Sequence, residues 1–267
     1  MLNKIAEVIR QVRLKTPLVQ AITNYVTIND CANILLCFGA SPAMCEAKTE
    51  VEEFAGIISS LYINLGTMTQ EQYEASLIAA KKASSVNKPI VLDPVACGAI
   101  SRKSRIVKEL LDCSKISVIK GNIGEIKSLA GYSGKVRGVD SVDDGGDAIE
   151  ACKSLALKYG TVVAATGKID TVTDGRRTCL IENGTSMLTL ITGAGCMAGA
   201  LAAAAAGVCE DKFVSTSAAL LVMSLAGEMA AAQTGRPLPG TFRAKLMDSI
   251  YEITEDDILK GGRIRCL

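Results

Sequence analysis

The chain has 267 residues, 49% of them hydrophobic, with ten cysteines, no histidine and no tryptophan. Its 29 basic residues against 28 acidic ones leave a formal charge of +1, and aromatics make up only 4%, so nothing suggests a nucleic-acid surface. The missing histidine excludes a Ser-His-Asp triad, a Cys-His pair, an H-E-x-x-H zinc site and an imidazole base, leaving carboxylates, thiols, Lys, Tyr or the substrate to move protons.

Helical periodicity over Leu2–Val12 gives way after Pro17 to an apolar strand, Leu18–Ile22, that ends in Thr23-Asn24. Helical spacing returns over Asn29–Phe38 and stops at Gly39, and a short segment, Ser41–Met44, follows. Leu61–Leu65 reads as a strand running into Gly66-Thr67, then Gln70–Val86 as a long helix. Pro89–Asp93 is a strand, Lys103–Leu111 a helix, Ile116–Lys120 a strand and Gly124–Ala130 a short helix. Gly146–Tyr159 is helical and Thr161–Ala165 a strand. Asp174-Gly175, between Thr171-Val-Thr and Thr178-Cys-Leu-Ile, signals a hairpin. From Ala194 onward the pattern is almost wholly helical, with a break near Gly235–Gly240. Strands alternating with helices predict one α/β domain over 1–267, with a mainly parallel sheet and helices on both faces. There is no repeat at a fixed period.

No two cysteines stand in C-x-x-C spacing, which argues against a structural zinc site. Cys31, Cys37 and Cys209 lie in apolar runs, where a reduced thiol packs as a small hydrophobe. The amphipathic start has no signal-peptide pattern, and the chain reads as a reduced, cytoplasmic protein. The Ala-rich run from Ala194 to Val208 and the apolar run from Phe213 to Ala232 are interrupted by Gly199, Gly207, Ser215, Ser217, Ser224 and Glu228. They read as tightly packed core helices rather than membrane spans.

In parallel sheets ligands bind beyond the carboxyl ends of the strands, and polar clusters gather there: Thr23-Asn24, Gly66-Thr67, Asp93-Pro94, Lys120-Gly121-Asn122 and Thr166-Gly167-Lys168. Any one of them would serve equally as a turn or helix cap. Asp93 and Glu125 read either as a turn residue and a surface carboxylate, or, if their strands are neighbours, as two carboxylates facing one Mg²⁺. Lys120 would stand near them as a point charge for phosphates. The sharpest segment is Thr192-Gly-Ala-Gly-Cys196, running directly into the Ala-rich helix. Free N–H groups at such a helix start carry partial positive charge, so the turn is either a plain helix start or an anion site. A thiol in the first turn is expected to have a lowered pKa, which makes Cys196 a candidate base or nucleophile.

Seven segments in order resemble the hydroxyethylthiazole kinase family of the ribokinase-like superfamily. They are Ala21-Ile-Thr-Asn-Tyr-Val-Thr27, Gly39-Ala-Ser-Pro-Ala-Met44, Asn64-Leu-Gly-Thr67, Asp93-Pro-Val95, Lys120-Gly-Asn-Ile-Gly-Glu125, Ala165-Thr-Gly167 and Thr192-Gly-Ala-Gly-Cys196. The resemblance spans essentially the whole chain. It implies a three-layer α/β/α ribokinase-like fold and a homotrimer with active sites at subunit interfaces. It also implies ATP- and Mg²⁺-dependent phosphorylation of the primary alcohol of 4-methyl-5-(2-hydroxyethyl)thiazole in thiamine salvage. Carried over segment by segment, Gly193, Ala194 and Gly195 form the anion hole, with Gly193 also near substrate. Cys196 takes the catalytic-base position, where sugar kinases of the superfamily have Asp. Asp93 and Glu125 serve the metal and phosphate, Lys120, Asn122 and Thr166 lie on the ATP side, and Asn24 and Met44 lie around the thiazole.

The chain departs from the family's pattern in three places. Lys120 stands where members often have Arg, exchanging a bidentate fork for a point charge. Ala96-Cys97-Gly98-Ala99-Ile100 replaces the common Gly-x-Gly-Ala-Thr, and Cys45-Glu46 replaces Ala-His after the Met. The nearest rivals are a superfamily kinase or ATP-dependent dehydratase with another substrate, or a silent binder. Cys at the base position favours the thiazole alcohol, since a dehydratase would carry Asp there.

Overall fold

The computed structural model describes residues 1–132 and 146–267. Nine strands form one sheet: β1 Leu18–Ile22, β2 Ser41–Ala43, β3 Ser60–Asn64, β4 Ile90–Asp93, β5 Val118–Asn122, β6 Val162–Thr166, β7 Asp170–Thr173, β8 Thr178–Ile181 and β9 Ile264–Cys266. They lie in the order β2-β1-β3-β4-β5-β6-β7-β8-β9. The first six are parallel neighbours, whereas β6, β7, β8 and β9 pair antiparallel. The sheet is thus α/β and mostly parallel, with an antiparallel edge on one side.

Alternate residues of each central strand enter two separate cores. Val19, Tyr62, Val91, Val118 and Ala164 face one way. Leu61, Ile63, Leu92, Ile119 and Val163 face the other. This is the period of two expected of strands buried on both sides, and it defines three layers. The first face is covered by α1 Leu2–Lys15, α2 Ile28–Phe38, α8 Ala194–Val208, α9 Lys212–Thr234, α10 Pro239–Glu252 and α11 Glu255–Gly261. The second is covered by α3 Val51–Ile57, α4 Gln70–Ser85, α5 Ser101–Cys113, α6 Ile123–Leu129 and α7 Gly146–Tyr159.

Helix α8 owes its composition to its place. It packs on α9, α2 and α1 and directly over β3, β4 and β1, and residues Met197 to Ala206 are all buried. Small side chains let the backbone lie close to the sheet: a Cβ at Gly199 would stand 2.6 Å from Tyr62 Oη. Helix α9 is long and apolar enough to cross a membrane by length and composition, but 89% of its most apolar window is buried inside the protein. It packs between α8, α10 and α1 as a core helix.

The element order expected from the sequence is present, with ends shifted by one to three residues, and the Asp174-Gly175 turn does join an antiparallel hairpin. Three elements escape that reading, among them a 3-10 turn over Ser186–Leu190. Helix α3 has only seven residues, too few to show a clear period. The C-terminal segment is not helical to its end, because Ile264–Cys266 pairs with β8 as an edge strand.

Candidate active site

The sheet reverses its winding between β1 and β3, since β2 lies on one side of β1 and β3 on the other. Such a switch point opens a crevice at the carboxyl ends of the strands. Asn24, just beyond β1, and Asn64, the last residue of β3, flank it and are both buried. Asn24 Nδ2 donates to Asn64 Oδ1 at 2.9 Å, while Asn24 Oδ1 accepts from the Thr27 N–H at 3.1 Å. Both side-chain amides also reach the thiol of Cys196: Asn24 Nδ2 at 3.4 Å and Asn64 Nδ2 at 3.3 Å from Sγ. The thiol is therefore held between two donors at the start of α8.

That helix start has an unusual entry. Gly193 is the N-cap residue, with φ of 87°, a left-handed conformation that disfavours any side chain. A Cβ there would also lie 2.5 Å from Thr27 Cγ2, so the position excludes a side chain on two counts. The Gly193 carbonyl accepts the first helical bond from the Met197 N–H at 2.8 Å. Among the described residues the N–H groups of Ala194, Gly195 and Cys196 have no protein acceptor, which is the usual state of a first helical turn. Together with the helix dipole they make a partial positive charge beside the thiol.

Beneath this turn lies a buried ion pair. Lys120 Nζ is 3.3 Å from Asp93 Oδ2 and donates to the Gly195 carbonyl at 2.9 Å. Asp93 Oδ2 also accepts from Tyr62 Oη at 3.0 Å, and Tyr62 Oη lies 2.9 Å from the Cys196 carbonyl, so its one proton serves one acceptor at a time. Asn64 Nδ2 donates in turn to Tyr62 Oη at 2.9 Å. Burial pushes the Asp93 carboxyl up, against the pull of Lys120 and Tyr62. Burial disfavours the Lys120 charge, but Asp93, Cys196 and Glu125 outweigh it and raise that group.

The thiol corrects one expectation. The helix start should lower its pKa, yet burial and then the Asp93 charge raise it above the ordinary thiol value, and Thr27, Lys120 and Asn24 only partly offset them. Cys196 is therefore a neutral thiol at neutral pH. The sequence reading weighed the helix dipole without the buried carboxylate two strands away.

Asp93 ends β4, and Glu125 lies in the first turn of α6, directly after the neighbouring strand β5. Glu125 is committed locally as well: its Oε2 accepts from the Asn122 N–H at 2.8 Å and its Oε1 from the Ala96 N–H at 2.9 Å. Asn122 completes a capping box for α6 by accepting from the Glu125 N–H. Burial raises the Glu125 carboxyl, and the Asp93 charge adds to that rise. No cluster of three or more His, Cys, Asp or Glu that could hold a metal exists among the described residues. Two carboxylates suit Mg²⁺ arriving with phosphate oxygens and water, and would be too few for a dedicated protein cage.

The remaining candidates sit at the rim. Thr166, at the end of β6, pairs with Asn122 across the sheet, and its Oγ1 donates to the Gly121 carbonyl at 3.3 Å. Met44 is half-buried, packed on the same core as Cys196 and Ala194. Glu46 accepts from Tyr25 Oη at 3.0 Å and from Gln72 Nε2 at 2.8 Å, so this departure from the common Ala-His is tied into the structure. The structure thus joins Asn24, Asp93, Lys120, Cys196 and the Gly193–Gly195 turn directly, with Glu125, Asn122 and Thr166 alongside. Sequence reasoning gave no role to Tyr62 and Asn64. Their signal was an aromatic and an amide two residues apart in an otherwise apolar strand, hence on one face.

Comparison with known proteins accords with this geometry. Residues 9–256 match the model of the hydroxyethylthiazole kinase family. A hydroxyethylthiazole kinase of Desulfitobacterium hafniense is 57% identical over 267 residues, covering 100% of both chains. The structure of a hydroxyethylthiazole kinase protein from Pyrococcus horikoshii superposes with a TM-score of 0.90 at 37% identity, covering 98% of each chain. A ribokinase-like superfamily protein from Enterococcus faecalis, at 11% identity and a TM-score of 0.61 over 95% of this chain and 83% of that one, shares the fold alone. The chain belongs to the hydroxyethylthiazole kinase family.

Proposed function

We propose that the protein transfers the γ-phosphoryl group of ATP to the primary hydroxyl of 4-methyl-5-(2-hydroxyethyl)thiazole, yielding the phosphate ester and ADP for thiamine salvage. The observation that carries this reading is the Cys196 thiol, held by two amides at the first turn of α8 above the Lys120–Asp93 pair. Phosphoryl transfer through a loose transition state asks mainly for in-line positioning and for positive charge on the migrating group. The N–H groups of Ala194, Gly195 and Cys196 supply that charge without reorganising. Lys120 adds a cation below the turn and, through the Gly195 carbonyl, fixes its shape.

The substrate hydroxyl is placed against Cys196 Sγ, with Asn24 and Met44 beside the ring and Gly193 closing over it. A neutral thiol accepts a proton poorly. It serves here to orient the hydroxyl, whose proton passes to an oxygen of the transferred phosphoryl group as the new O–P bond forms. Lys120, Asn122 and Thr166 form the nucleotide side. Mg²⁺ held near Asp93 and Glu125 would neutralise charge on the β- and γ-phosphates. A homotrimer with sites at its interfaces, a single domain over 1–267 and a cytoplasmic location complete the reading, and rest on the family resemblance and the reduced cysteines.

The test is ADP release from ATP over a panel of primary alcohols, including the thiazole alcohol, a hydroxymethylpyrimidine and pyridoxal. Turnover that depends on the thiazole alcohol is expected to exceed the others by at least about 100-fold, the discrimination that a few matched pocket contacts give. Equal turnover with every alcohol, or with none, contradicts it.

A further inference from the structure

Cys179 and Cys266, which the site leaves unused, stand directly opposite each other on β8 and β9. The hydrogen bonds of this ladder fix what kind of pair they are. Thr178 and Leu267 exchange both backbone bonds, at 3.3 Å and 2.9 Å, and Glu182 donates to the Arg263 carbonyl at 2.9 Å. Positions alternate along an antiparallel ladder, so Cys179 and Cys266 form a non-hydrogen-bonded pair. Such pairs bring Cα atoms to about 4.5 Å and side chains closest together, within the range a disulfide spans. Side chains of opposed residues share one face: Cys179, Ile181 and Ile264 all pack on the core that α9 covers, and the Cys266 side chain lies on the same side of the sheet as that of Cys179. Accessibility is divided between them, because Cys179 is fully buried while Cys266 is exposed.

We propose that Cys179 and Cys266 are a redox pair that closes into a cross-strand disulfide when the protein meets a low-molecular-weight disulfide. The exposed Cys266, as thiolate, attacks one sulfur of the oxidant, whose S–S bond breaks and releases one thiolate. The Cys179 sulfur then attacks Cys266 Sγ, its proton passing to the expelled thiolate, which leaves as the second small thiol. Two protein thiols and one oxidant disulfide give one protein disulfide and two small thiols, a two-electron exchange. The bond pins the last strand to the sheet and closes a loop of about 90 residues that contains α8 to α11 and the Gly193–Cys196 turn. It involves neither the thiol nor the carboxylates of the active site, and it holds whatever alcohol the enzyme accepts.

Folded full-length protein incubated with excess glutathione disulfide should lose two hydrogens in intact mass. Non-reducing peptide mapping should place the link between Cys179 and Cys266. The thermal midpoint should rise by about 3–10 °C over the reduced protein, the scale expected for closing a long loop in a domain of this size. Cys266→Ser should abolish both effects, and Cys179→Ala should instead trap glutathione on Cys266. A wild-type protein that keeps a stable glutathione adduct on Cys266 while Cys179 stays free, or that forms its link elsewhere, overturns the proposal.

Discussion

At the scale of single residues, the site depends on buried groups whose ionisation is set by their neighbours. Asp170, the first residue of β7, shows this outside the reacting centre. Its Oδ1 accepts from the Gly167 N–H at 2.9 Å and its Oδ2 from Ser224 Oγ at 3.2 Å, so it ties the Thr166-Gly167 turn to α9. Burial pushes its carboxyl up to about 6 from 3.8, although both bonds and Lys120 pull it down. Between those two values the folded protein binds more protons than the unfolded one, so wild-type stability falls as pH rises through this window. Asp170→Asn keeps one acceptor and one donor and removes the charge. It should stabilise the protein by about 2–3 kcal/mol at pH 8 and by nothing below about pH 4. Urea unfolding at a series of pH values measures this, and a variant no more stable than wild type at pH 8 would show that the carboxylate is not strained by burial. Residue-level legibility was uneven. Asn24, Asp93, Lys120 and Cys196 could be named because polar residues at strand ends stand out against apolar runs. Tyr62 could not, because an aromatic within a strand reads as core until the helix above it is known to lack a side chain at Gly199.

At the scale of elements, α8 and β3 act as one unit. Tyr62 Oη lies 2.6 Å from where a Cβ on Gly199 would be and donates to Asp93 or to the Cys196 carbonyl, so the helix and the strand position each other through it. Gly199→Ala therefore displaces Tyr62 or lifts the helix. It should cost about 1–3 kcal/mol of stability, the range for overpacking a dense core, and should lower kcat more than it raises KM. Steady-state kinetics beside urea unfolding test this. Unchanged kcat with the expected loss of stability would mean that Tyr62 supports only the core. The alternation of strands and helices was readable because each carries its own period, and the hairpin because Asp-Gly marks its turn. Strand β9 was not: three residues, one of them Arg265, with Arg263 just before them carry no pattern, and only the partner strand β8 makes them a strand.

At the scale of the whole molecule, the sheet's winding places the carboxyl ends of β1, β3, β4, β5 and β6 in one row, and α8 points its first turn at that row. The absence of histidine removes most proton-transfer chemistries, and in the proposed reaction the one thiol beside the hydroxyl is Cys196, hydrogen-bonded by Asn24 and Asn64. Catalysis on this account belongs to the arrangement of helix start, ion pair and bound alcohol more than to any one base. Thiazole-dependent ATP turnover of Cys196→Ala, on protein shown to be folded, tests that most directly. Retained activity is expected, with kcat no more than about 100-fold below wild type, and Cys196→Asp should be active. A folded Cys196→Ala protein with no thiazole-dependent turnover would contradict it and make proton abstraction by Cys196 obligatory.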